Sequence, residues 1–415
     1  MIRRVARIAA IVAAIFISGA WQESPLRPAS KLPDAAEINS ILQQLSQITG
    51  FKIKRELPFE LVTREQVNRF LTDQIRRTIK PEEIRAEEIT LKKFGFVPAD
   101  FDLKQTTIDL LTEQAAAFYD FHRKKLFISD WATENMRSAA LVHELAHALA
   151  DENFSIQKYL DQAGDNSEES LARQTVVEGQ ASWLMLEFAA QRIGKSLADP
   201  ATAREYLSNG DSGSDDNDSE YPVFNKAPLY LKKTLMFPYE SGQNFQQAVF
   251  LKDGKAAFAR VFREPPLDTA QILHPLRYFE GVKPVTPELP RPARHSKSYV
   301  VGMLGELDER ILLEQYIDRA AADDLGPKLV GANYRIDKSK PDGRLMLVYA
   351  SEWRDGESAA SYFRAYQTVL KKKWKRLDVI SASADRVTGK ADDGYFLLRR
   401  DGSIVLSEEG FSAPL

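Results

Sequence analysis

The segment Leu141-Val142-His143-Glu144-Leu145-Ala146-His147-Ala148-Leu149 sets three ionisable side chains inside an otherwise apolar run. Thr133 is placed to cap a helix that carries this run to about Asp151. Residues four apart share a helix face, so His143 and His147 can address one metal ion. Glu144 points about 100° around the helix from His143, beside such an ion rather than onto it, where a base acting on water belongs. A chain with this segment must fold a second element against the helix, both to complete the ligand set and to bury the apolar residues. The plain alternative is two histidines on a core-facing stripe.

The remaining composition narrows the ligand chemistry. The chain has 415 residues, 44% hydrophobic and 28% charged, enough for substantial cores and, at roughly 150 residues per domain, two or three folded units. Cys is absent, so disulfides, thiolate sites and cysteine nucleophiles are excluded, and any metal must be held by His, Asp or Glu. Only five His are present. Lys and Arg number 56 against 59 Asp and Glu, a net charge of −3, too balanced for a nucleic-acid-coating surface.

A third ligand is needed, and no His follows His147 until His274. Ser167 can cap a second long helix to about Ile193, and Glu178 lies on it, 31 residues after His147. Gly179 beside it costs about 1 kcal/mol relative to Ala in a helix, which makes sense where another helix backbone must approach closely. Glu168 and Glu169 at the helix start and Glu187 two turns beyond are less well placed. Zinc suits two imidazoles and one carboxylate, so His143, His147 and Glu178 are read as ligands of one Zn2+ per chain. Asp151, one turn after His147, is the candidate acceptor for an imidazole N–H.

Elsewhere, Met1–Arg7 carry three Arg, Ile8–Ser18 are apolar, and Ser18-Gly19-Ala20 is a small-residue end. That is the pattern of a secretory signal peptide over 1–20, which predicts export to the periplasm or beyond. Membrane association follows only if the segment is retained. Residues 21–100 read as a helical region, with helices over Ala36–Ile48 and from the Thr63–Gln66 capping box to about Ile79, and Pro81 opening the next. Residues 101–282 hold the metal pattern behind a hairpin over Ala115–Ser129. Ser208–Glu220 is acidic and low in complexity and reads as a solvated loop. A Pro-rich linker spans 283–297, and 298–415 reads as a small α/β module with strands at Leu345–Ser351 and Leu377–Ser383 around a helix over Asp355–Trp374. A hairpin turns at Arg400-Asp401-Gly402. The fold class is α+β.

His143-Glu-Leu-Ala-His147 with Glu178-Gly179-Gln180-Ala181 resembles gluzincin-type zinc metallopeptidases, and more narrowly an uncharacterised group of exported bacterial proteins. The narrower resemblance also rests on Phe118-Tyr119-Asp120, Phe237-Pro238-Tyr239-Glu240-Ser241-Gly242 and Leu273-His274-Pro275. It implies a mostly helical, zincin-like domain in which one arm of the hairpin forms the cleft edge and aligns an extended peptide or protein substrate. It also suggests Tyr239 and His274 as donors to a developing oxyanion. In that reading Glu144 is the general base. A zinc-binding envelope module with little turnover, or an amidase acting on cell-wall peptides, are the competing functions. His122 and His295 read as solvated.

Overall fold

The computed structural model describes residues 33–78, 80–114, 117–131, 133–207 and 221–414. The segment 1–20 and the acidic stretch 208–220 lie outside the described residues, as do Ala115 and Ala116 of the expected hairpin.

The N-terminal part runs α1 (Ala35–Thr49), β1 (Phe59–Val62), α2 (Arg64–Thr78), α3 (Pro81–Phe94) and α4 (Leu103–Gln114). Thr63 and Gln66 make the reciprocal bonds of a capping box at the start of α2, and Pro81 occupies the first position of α3. Next come β2 (Ala117–Asp120), β3 (Lys125–Ser129), α5 (Glu134–Phe154), α6 (Ile156–Asp161) and α7 (Ser167–Arg192). Thr133 caps α5 as expected, its side chain accepting from Met136 N–H. The α7 cap is Asn166 rather than Ser167, because the Asn166 side-chain Oδ1 accepts from the N–H groups of both Glu168 and Glu169. Then follow α8 (Pro200–Leu207), α9 (Pro222–Lys226), α10 (Leu229–Asp253), α11 (Ala257–Arg263), α12 (Thr269–Leu273) and α13 (Pro275–Glu280).

The C-terminal part contains β4 (Ser296–Leu304), α14 (Glu306–Tyr316), α15 (Arg319–Leu325), β5 (Leu329–Ser339), β6 (Leu345–Trp353) and α16 (Gly356–Lys373). It ends with β7 (Leu377–Ala382), β8 (Arg386–Ala391), β9 (Gly394–Asp401) and β10 (Ile404–Phe411).

Two sheets organise the described residues, which are α+β throughout. The first has the order β1-β3-β2, with β1 parallel and β2 antiparallel to β3, so the expected hairpin gains a third strand and leaves β2 at an edge. The second has seven strands in the order β4-β5-β6-β10-β9-β8-β7, every pairing antiparallel. The C-terminal module is therefore corrected from α/β to α+β: α16 follows β6 but leads to the far edge of the sheet, not to a parallel neighbour.

Tyr362 and Tyr366 of α16 stack on Trp353 and Tyr349 of β6, and Phe94 at the end of α3 meets Tyr334 and Tyr349 edge-on. One continuous apolar cluster thus runs from Ile38 of α1 to Val405 of β10. The Pro-rich stretch lies along the sheet, where Val285 N–H donates to the Val330 carbonyl and Leu289 packs on the cluster of Met346, Val348 and Leu406.

For the site, the decisive packing is α7 against α5 and α10. At the α7–α10 crossing a Cβ built on Gly179 would sit 2.2 Å from the Gly242 carbonyl carbon, and one on Gly242 would sit 2.6 Å from the Thr175 carbonyl oxygen. Only two glycines permit that approach. The close passage expected at Gly179 is thus present, and Gly242 from the Phe237–Gly242 segment is its other half.

Candidate metal centre

Helix α5 presents His143 and His147 one turn apart, with ring centroids 4.6 Å apart and planes at 85°. Helix α7 delivers Glu178 to both. Its Oε2 lies 3.2 Å from His143 Nε2 and 3.3 Å from His147 Nε2. A tetrahedral ion with bonds of about 2.0–2.1 Å holds its ligand atoms about 3.3 Å apart, so these separations are those of two tetrahedron edges. Ligand atoms of His143, Glu144 and His147 also lie within 4.8 Å of one another, and this buried group could hold a metal ion.

Burial makes the arrangement electrostatically demanding. His143 and Glu178 are each 1% exposed, Glu144 1% and His147 2%. Burial pulls the His143 imidazole down to about 4, so it is neutral and able to offer a lone pair. Burial raises the Glu144 carboxyl to about 8, with the charge of His147 opposing it. Burial would also raise Glu178, but the neighbouring His147 charge and the His143 hydrogen bond outweigh it and hold the carboxyl at about 2. His147 is lowered by burial and raised more strongly by Glu178, for a net rise. His147 Nε2, Glu178 Oε1 and Glu144 Oε1 are buried without a hydrogen-bond partner. Buried polar atoms of this kind call for an explanation, and a cation among them supplies one.

The other expected site residues fall in different places. Asp151 is on the predicted face, but its hydrogen bonds go to the Tyr119 phenol, the Lys124 ammonium and Ile156 N–H rather than to His147. The expected imidazole acceptor is thereby corrected to an anchor for the β2–β3 hairpin. Tyr239 of α10 does join the group, its ring centroid 6.1 Å from that of His143. His274, between α12 and α13, is instead held by Glu306, with Nε2 2.8 Å from Oε1, on a carboxylate that Arg310 and Arg277 also approach. Its hydrogen bonds thus go to Glu306 rather than to the group of His143, His147 and Glu178.

The rejected alternatives to Glu178 are engaged elsewhere: Glu168 with Thr269, Glu169 with Arg173, and Glu187 with Leu197 N–H and Ser196.

Two residues of the site escaped the sequence reading. Tyr119 N–H donates to Glu144 Oε2 at 2.7 Å, and the Phe121 ring lies edge-on to His147 at 5.9 Å. Both belong to or adjoin the Phe118-Tyr119-Asp120 segment, which the sequence marks only through a resemblance. Asp120 caps the hairpin turn by accepting from His122 and Arg123 N–H, which leaves His122 outside the site.

No family model matches the chain, and comparison with curated proteins and with solved structures finds no match.

Proposed function

We propose that this chain is an exported zinc-dependent peptidase of the gluzincin type, with a zincin-like domain formed around α5 and α7. The observation that carries the reading is the pair of tetrahedral edge lengths from Glu178 Oε2 to the two imidazoles, beside a carboxylate, Glu144, that keeps one oxygen uncommitted. His143, His147 and Glu178 would hold the ion. An N,N,O set of neutral imidazoles and a carboxylate suits zinc with one open position. Bound there, zinc would lower the pKa of a water in that position to about 7 and polarise the scissile carbonyl.

The chain's own residues do the rest. Glu144 accepts a proton from the attacking water at Oε1, since Oε2 is already committed to Tyr119 N–H. It then delivers that proton to the amine nitrogen as the C–N bond breaks. Tyr239 is the candidate donor to the developing oxyanion. A peptide or protein is the substrate class, and export follows from the Met1–Ala20 pattern. Among the described residues, no helix is long and apolar enough to cross a membrane.

The test is Glu144→Gln, which keeps size and hydrogen bonding but cannot take a proton. Hydrolysis of a peptide library should fall by at least about 100-fold, since general-base assistance contributes 10²–10⁴-fold. Zinc content should stay at one per chain. Loss of zinc would make Glu144 a ligand. A wild type that cuts nothing faster than the variant would hand the site to a binding role without turnover.

A further inference from the structure

We infer that Tyr119 is a positioning residue for Glu144: its main-chain N–H aims the carboxylate, and the hydrogen bond of its phenol to Asp151 holds that N–H in place. The inference rests on the proposed role of Glu144 as base, and it gives a purpose to the Phe118-Tyr119-Asp120 segment that the metal site leaves unexplained.

The argument begins with the direction of the strand. Leu126, opposite Tyr119 on β3, sends its N–H to the Pro58 carbonyl on the other side, so Tyr119 and Leu126 are a non-hydrogen-bonded pair. The Tyr119 N–H therefore points out of the sheet edge, and there it meets Glu144 Oε2 at 2.7 Å. One oxygen is pinned and the other, Oε1, is left for water. A Glu side chain has three rotatable torsions, and the Tyr119 N–H supplies the hydrogen bond that fixes the plane of this carboxylate, since Oε1 has no partner.

A single main-chain N–H is only as steady as the strand that carries it, and β2 is four residues long. The phenol steadies it. Glu144 and Asp151 are seven residues apart, two turns and about 10 Å along the helix axis. Tyr119 spans that distance with its two ends, main chain on Glu144 and hydroxyl on Asp151 Oδ2 at 2.9 Å.

Asp151 is itself fixed, accepting Ile156 N–H at Oδ1 and the Lys124 ammonium at Oδ2. Lys124 reaches it from a turn position with φ of 53°, a left-handed conformation that bulky residues seldom adopt. The phenol is a donor at any working pH, because burial and then the Asp151 charge hold it well above its usual value. The Tyr119 ring packs edge-on against Phe121, which in turn contacts His147. The hairpin is thus fastened to the metal helix at three successive levels.

The experiment uses the full zinc-loaded chain and two variants, Tyr119→Phe and Glu144→Ala, with residue-resolved hydrogen–deuterium exchange and peptide-library kinetics. Exchange at the Tyr119 amide should accelerate at least about tenfold in Glu144→Ala, which removes its acceptor, and also in Tyr119→Phe, which removes only the distant anchor. Amides in the middle of α7 should be unchanged in both. In Tyr119→Phe, kcat should fall about tenfold with KM and zinc content held, the pattern of a misaimed base rather than a weakened site. Unchanged protection of the Tyr119 amide in Tyr119→Phe overturns the inference. So does a loss confined to KM or to melting temperature, which marks the Tyr119–Asp151 pair as packing alone. The exchange arm reads out without turnover, so a wild type that cuts no peptide defeats the proposed activity while the clamp is judged separately.

Discussion

Replacing Gly179 by Ala tests the packing on which the site depends. The added Cβ would meet the Gly242 carbonyl carbon at 2.2 Å, its Cα at 2.4 Å and its oxygen at 2.5 Å, all main-chain atoms that no rotamer change can move. Carbon atoms pack at about 3.5–4.0 Å, so α7 and α10 must separate by more than about 1 Å at their crossing. Helix propensity favours the substitution by about 1 kcal/mol. Overpacking of a well-filled core opposes it by about 1–3 kcal/mol or more, and a clash between two backbones belongs at the upper end.

The net effect expected is a loss of about 1–2 kcal/mol, read as a lower midpoint in thermal or urea unfolding. Function should suffer more than stability. Glu178 is the neighbouring residue, and α7 is held between α5 on one side and α10 on the other. Separation either presses Glu178 towards the imidazoles or carries Tyr239 away from them. Metal sites tolerate only about 0.2 Å of misplacement, so zinc affinity should fall at least about tenfold. Competitive titration against a chromophoric chelator measures it. A Gly179→Ala protein that melts at or above wild type with unchanged zinc affinity would refute the close approach and the argument built on it.

Glu178→Ala should abolish stoichiometric zinc binding, because two protein ligands hold the ion weakly, while Glu187→Ala should leave it intact; metal analysis after dialysis separates the two. Glu309, buried beneath Tyr349 and Tyr362, has its carboxyl raised by burial from 4.5 to about 7, so its contribution is fully present below about pH 4.5 and lost as pH rises through 7. That is worth about 3 kcal/mol over the window, and Glu309→Gln should gain on wild type in melting temperature between pH 5 and pH 8.5; a pH-independent difference would refute it. Intact-mass analysis of the protein from an envelope fraction should find the chain beginning near Trp21, and a mass that includes residues 1–20 would indicate a retained anchor.

The parts of the fold that sequence made legible are those whose physics is local. Capping chemistry and 3.6-residue periodicity mark α1, α2, α3, α5 and α7, and the one slip, Ser167 for Asn166, came where two cap-competent residues stand side by side. The pairing of His143 with His147 was legible for the same reason, since a spacing of four is a statement about one helix face. Glu178 was reachable because Gly179 advertised a helix–helix approach.

What stayed hidden depends on distant pairing. Strand β5 does carry an alternation, Ala332, Tyr334 and Ile336 against Asn333, Arg335 and Asp337, and what the sequence does not show is that Arg335 and Asp337 on the second face are also buried, as a pair. The strand–helix–strand order of β6, α16 and β7 imitates a parallel crossover, but β10, the last strand of the chain, inserts beside β6. The Tyr119–Glu144 contact had no signature at all, because a main-chain N–H looks the same in every residue but proline. Asp151 shows the middle case: its face was legible, its partner was not.

The charge in the centre ties these elements together. Glu144 and Glu178 bring two carboxyl groups into a region 1% exposed, and no Lys or Arg pairs with either among the described residues. Burying an unpaired carboxylate is costly, and folded chains meet that cost by neutralising the group or supplying a positive partner. Glu144 follows the first course, its carboxyl raised to about 8, and Glu178 the second, held at about 2 by the imidazoles. The imidazoles cannot both serve, since His143 is pushed down to about 4 and its charge would oppose that of His147. Without an ion, the centre thus sets one imidazole charge, on His147, against one carboxylate, Glu178, and keeps Glu144 protonated. A dication at the meeting point of His143, His147 and Glu178 would take the place of the imidazole proton, let both imidazoles act as neutral donors, favour the ionised Glu144 that a base requires, and stabilise only the folded state that assembles them. In a chain without cysteine, the residues proposed to hold the ion would then also be residues that hold α5 to α7.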